Sequence, residues 1–235
     1  MIISNGLGAI VVSLAVTGFG LPSMGASTNR VKMEDVRGDL GKLTALKEDP
    51  LDKEKVEYVT SGKSNYDEVS KSSAHIRAGM IVSNSYANAL TSDLKGYARS
   101  YAASKAADEN VKGIVGSSKP EALSDDQAVA LLKLKKKQGQ LSGDEKAFAA
   151  NAVVDSAVVV SYLHTTATKA QPLAAKAASL THTVNSDFAG TEAIKAPIVA
   201  KSLTGSAAQM KEAAVKAPEL AKSLTRLAMS LKGLE

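Results

Sequence analysis

From residue 193 to residue 231 the chain places an apolar side chain at alternating steps of three and four without a miss. The positions are Ala193, Ala196, Ala200, Leu203, Ala207, Met210, Ala214, Ala217, Ala221, Leu224, Ala228 and Leu231. A mean step of 3.5 residues keeps one stripe of an α-helix turned toward a neighbour over many turns, with left-handed packing. Eight of the twelve are alanine, and small seam residues let two backbones approach to about 8 Å. Within this segment "KAPIVAKSLTGSA" (195–207) is echoed by "KAPELAKSLTRLA" (216–228). The offset of 21 is three heptads, so the duplication preserves register. A looser copy, "KAQPLAAKAASLT", stands at 169–181.

Pro197 and Pro218 fall inside the echoed phrases but off the seam. Each removes a backbone donor, which bends a free helix interior at a cost of about 3 kcal/mol. Because the stripe runs straight through Gly205, the expectation is one kinked helix. The alternative is a break at Gly205, with Ser206 and Gln209 capping a fresh helix.

Two further stripes carry the same rhythm. Val69, Ser73, Ile76, Met80, Ser83, Ala87, Leu90, Leu94, Tyr97, Tyr101 and Ser104 predict a helix from about Asn65, capped by Asn65 with Glu68, to about residue 109. Gly113, Gly116 and the "SSKP" run then close it. Ala149, Ala152, Ser156, Val159, Leu163, Thr166, Ala170, Leu173, Ala177, Leu180 and Val184 predict another, opened by a Ser142–Glu145 capping box and bent near Pro172. Gly190 is its expected stop and Thr191 the next start. Between these two stripes, Ser124 and Gln127 cap a shorter helix that ends at "LLKLKKKQG". Lys133, Lys135, Lys136 and Lys137 are a candidate anionic-surface patch. Their plainer role is to complement a helix C-terminus ahead of the Gly139 stop.

Residues 26–64 are charged and balanced, and are expected as a lead-in with short helices, one opening at Asp49–Pro50 and stopping at Gly62. The Arg37-Gly38-Asp39 tripeptide in this region is too short to carry an adhesion function. No charged residue precedes Arg30, and "LGAIVVSLAVTGFGL" (7–21) is followed by Pro22, Ser23 and Gly25. That order describes a secretory signal peptide over residues 1–25 with Ala26 as the mature start. The competing reading is a retained N-terminal anchor over residues 2–21.

Composition narrows the chemistry. The sequence contains no cysteine, which removes disulfides, thiolate zinc sites, iron–sulfur clusters and cysteine nucleophiles. His164 and His182, on one predicted helix, stand 18 residues and so about 27 Å apart, too far to share a metal. The sequence holds no Glu-x-x-His pair, no Gly-x-Ser-x-Gly and no His-Glu-x-x-His. A net charge of +5 spread along 235 residues is not the footprint of a nucleic-acid binder. Aromatics are 4% with no tryptophan, so the core has to be built from small side chains along long helices.

The sequence therefore predicts an all-α protein, an elongated and mostly antiparallel bundle of three long helices and one or two short ones, occupying residues 65–235. The expected function is that of a non-catalytic, exported structural or interaction protein of a cell envelope or extracellular assembly. It would work through helix–helix contacts with itself or a protein partner, without cofactor, metal or nucleic acid. The alternative is a membrane-active or lipid-associated helical protein using residues 2–21 or the proline-bent repeats.

Overall fold

The computed structural model describes residues 32–45 and 58–235. The expected signal peptide or anchor, the proposed cleavage point before Ala26, and the Asp49–Pro50 helix start lie outside the described residues. Among the described residues the protein is all-α. Six α-helices follow one another: α1 (Met33–Ala45), α2 (Ser64–Ser104), α3 (Glu109–Val115), α4 (Asp125–Lys137), α5 (Gly143–Asp187) and α6 (Ala196–Leu231). Two short 3-10 turns, Pro120–Ala122 and Gly190–Lys195, lead into α4 and α6. At 45 residues, α5 is about 68 Å long, so the bundle is elongated.

Local chemistry fixes the helix ends. Ser124 accepts from the Gln127 amide while the Gln127 side chain accepts from the Ser124 amide; Ser142 and Glu145 do the same one helix later. Each capping box satisfies two otherwise orphaned donors. After α4, Gly139 turns at φ 69° and its amide returns to the Lys136 carbonyl at 2.9 Å. A positive φ is what a side chain resists and glycine accepts, so the chain reverses there.

Other ends differ from the sequence expectation. Asn65 and Glu68 do not cap α2, whose N-cap is Lys63 without a side-chain bond. Instead the Asp67 carboxylate accepts from the Ser61 amide (2.6 Å), the Ser61 hydroxyl (2.7 Å) and the Gly62 amide (3.2 Å), gathering the turn before the helix. α2 stops at Ser104, not near residue 109. A fresh N-cap, Asp108 accepting from the Asn110 amide at 2.8 Å, starts α3. Gly113 lies inside α3 and only Gly116 stops it, at φ 60°. Pro197 does not bend α6, because the helix begins at Ala196 and the proline occupies its first turn, where the missing donor had no helical acceptor. Pro218 and Gly205 lie inside a continuous α6, and Pro172 lies inside a continuous α5.

α2 and α5 run antiparallel. Tyr66 of α2 meets Thr183 and Asp187, Glu68 meets Lys176, and Tyr86 meets Ser156 and the Ala152 carbonyl. The short Gly190 turn folds α6 back along α5, and that pair forms the most extensive interface in the molecule. α1, from the region expected as a lead-in, lies in the groove between α2 and α5. Its Met33, Val36, Leu40 and Leu43 are buried in the main core. A second, smaller cluster closes the end of the bundle beside the α5–α6 turn. There Tyr66 packs edge-on to Phe188 at 5.1 Å, with Val199 and Leu203 beneath.

Candidate functional site

The alanine seam faces inward. Ala196, Leu203, Ala207, Met210, Ala217, Ala221, Leu224 and Leu231 are buried within the chain, and Ala200, Ala214 and Ala228 are half-buried. Ala193 sits exposed in the 3-10 turn ahead of α6. Val199, Ser206, Ala213 and Leu227 are buried beside the seam, so the contact face is broader than a two-position stripe. An amphipathic helix in a multi-helix core needs that breadth because it meets more than one neighbour; α6 touches both α5 and α2.

The lysine run at the end of α4 is divided. Lys135 turns inward and its ammonium sits 2.7 and 2.8 Å from the two oxygens of Glu145, itself 3% exposed. Burial alone would raise the Glu145 carboxyl, but the Lys135 ammonium and the Ser142 cap outweigh it and hold the group below its ordinary range. Lys136 donates to the Gly233 carbonyl at 2.6 Å and so pins the end of the chain. Lys133 and Lys137 are exposed. Half of the candidate patch is therefore structural.

Three polar clusters that sequence reasoning did not find join the helices. Arg37 of α1 reaches the buried Asp155 of α5 at 2.8 Å and donates to Asn151 at 3.2 Å. This contact ties the first residue of the Arg-Gly-Asp tripeptide to the core. Tyr86, fully buried, donates to the Ala152 carbonyl at 3.1 Å and lies 3.0 Å from the Ser156 hydroxyl; burial pushes its ionisation far above the usual tyrosine range. Tyr162 lies against Gly79, with its hydroxyl 3.3 and 3.4 Å from the carbonyls of His75 and Ile76. Burial pushes Tyr162 up to about 12, so it stays neutral. A methyl group at residue 79 would overlap the Tyr162 ring. The sequence holds one weak signal of these ties, a tyrosine or arginine at each position, but no periodicity links residues 66 to 118 apart in the chain.

Beyond Tyr162 the groove between α2 and α5 opens into a cleft of about 880 Å³. α1 lies in the first part of this groove, and its Leu43, one half-turn before the helix end at Ala45, lines the cleft. The far end is crossed by Glu68 and Lys176, 2.8 Å apart. The walls between are apolar at Ile76, Val158 and Leu173 and hydroxylic at Ser72, Ser161 and Thr165. His75 borders the cleft and is held below the usual imidazole range, first by burial and then by the Lys71 charge. Among the described residues no group of three histidine or acidic side chains is placed to hold a metal ion.

The fold and these features define the class of the molecule, over its described residues, as an all-α helical bundle with an open lateral cleft. Comparison with protein-family models, curated proteins and solved structures finds no match to this chain.

Proposed function

We propose that this protein is a non-catalytic interaction protein, exported to a cell envelope or extracellular assembly, that works through contacts made by its helices. The observation that supports this reading is the use made of its buried ionisable and polar groups. Glu145, Asp155 and Tyr86, the side chains most suited to acid–base or nucleophile-activating work, are each tied to a partner on another helix. Groups held in this way stabilise helix packing and are not presented to a substrate. The outer surface instead offers apolar side chains on several helices, with Ile81 54%, Val154 62%, Val215 63% and Met229 66% exposed.

The decisive experiment is the intact mass of the native protein in soluble and membrane fractions, followed by sedimentation across a concentration series. A soluble species starting near Ala26, with a mass that rises with concentration or with a bound protein, supports the proposal. A species that stays monomeric and partnerless at all concentrations counts against it.

A second reading, a membrane-associated protein, draws support from α5. Gly143–Asp187 is long and apolar enough to cross a membrane by length and composition, with 39% of its most apolar window buried inside the bundle. Recovery of the full chain, still bearing Met1, in the membrane fraction would favour that reading.

A further inference from the structure

Among the described residues, the cleft between α2 and α5 begins beside Leu43 of α1. The four buried residues of α1 run from Met33, whose amide donates to Asp93 of α2, to Leu43 at the cleft wall. Past that point the described lining runs along α5 to Lys176, 18 residues beyond Val158, or about 27 Å of helix. A volume of 880 Å³ lies in the range of small-molecule sites.

Its chemistry is graded along that length. Near α1 the walls are Leu43, Ile76, Ala157 and Val158. Farther along, Lys169 and Lys176 stand two turns apart on the same helix, against one acidic residue among the described lining, Glu68, which Lys176 already engages. His75 and Tyr162 add no charge at neutral pH. The intervening threonines ask little of a ligand, since Thr165 donates to the Ser161 carbonyl at 3.2 Å and Thr168 to the Thr165 carbonyl at 2.9 Å. Among the described lining residues the site is therefore apolar beside α1 and carries both of its lysines, with Pro172 and Leu173 between them, at the other end.

We propose that this cleft binds a single elongated acidic amphiphile, its apolar chain toward Ile76 and Val158 and its anionic head toward Lys169. This goes beyond the interaction reading and does not depend on it. A partner helix is a poorer occupant, because a helix about 10 Å across would bring a polar outer face to solvent without using the one-sided charge.

The test uses the purified protein and dodecanoate below its micelle concentration, followed by calorimetry, with dodecanol as the uncharged control. One dodecanoate should bind per chain. Lys169→Glu should weaken dodecanoate by about tenfold or more, the loss expected when a charge-assisted contact is removed and reversed, and leave dodecanol nearly unchanged. Ser161→Trp, at an exposed position on the cleft wall, should abolish binding of both. Circular dichroism of each variant confirms that the bundle is intact. The proposal is overturned if dodecanoate does not bind, or if both variants bind it as the parent does. It is equally overturned if only phosphatidylglycerol vesicles or only an amphipathic peptide are bound.

Discussion

Helix α5 meets its two long neighbours by different means. With α6 it buries small residues, Ala170, Ala174 and Ala177 on its own side and Ala213, Ala217 and Ala221 on the other, all at 2% exposure or less. With α2 it relies on tyrosines, where Tyr66, Tyr86 and Tyr162 each place a ring between the helices and a hydroxyl on a defined acceptor. A buried alanine methyl contributes only about 0.8 kcal/mol, so the α5–α6 contact gains by repetition. Each tyrosine buries far more area and also fixes one point of register. The first interface is strong because it is long, the second because it is anchored.

The comparison can be broken at several points. The largest effect is expected at Leu203, fully buried in the smaller cluster beside the α5–α6 turn. Leu203→Ala should cost about 3 kcal/mol by opening a cavity beneath Tyr66 and Phe188, measured by urea denaturation. Next come paired glycine substitutions. Gly79→Ala should destabilise by about 2 kcal/mol, because the new methyl meets the Tyr162 ring. Gly205→Ala, with nothing within 4 Å of the added carbon, should stabilise by about 1 kcal/mol through helix propensity. Equal responses at the two glycines would mean that the Tyr162 ring does not fill the space beside Gly79.

Glu145→Gln should cost about 2 kcal/mol at pH 7, since it leaves the Lys135 ammonium without its buried counter-ion. The folded carboxyl lies below its ordinary value of 4.5. Its contribution is therefore complete above that pH and is lost as pH falls through the depressed folded value. Thermal melts from pH 7 to pH 3 should show the parent losing its advantage over Glu145→Gln only in the acidic part of that range. The smallest loss is expected for Tyr86→Phe, about 1 kcal/mol for a lost buried hydrogen bond with the ring retained. A loss several times larger would mean that the hydroxyl network, not the ring, fixes α2 on α5.

How far the sequence discloses this architecture follows the same division. The α6 stripe and the capping boxes at Ser124 and Ser142 are legible because their determinants lie three or four residues apart. Pro197 misleads because a proline in a first turn and one in a helix interior look alike until the helix start is known. Asn65 misleads in a similar way, since Asp67 organises the same turn from inside the helix. The partner of the alanine seam cannot be read from periodicity, which specifies that a face is covered but not by what; here α5 and α2 of the same chain cover it. The tyrosine anchors, the Arg37–Asp155 tie and the cleft all depend on residues distant in sequence.

The short Gly190–Lys195 turn has a temporal consequence. It makes the most extensive interface of the protein also one of the most sequence-local, because α5 and α6 are separated by only a few residues. Local contacts cost the least chain entropy to close and therefore form early. α1 has no such neighbour, since its Arg37 must find Asp155 across 118 residues of chain. The α5–α6 pair is expected to gain protection from hydrogen exchange first during refolding and α1 last, so that the part of the cleft lined by Leu43 is the final part of the molecule to be built.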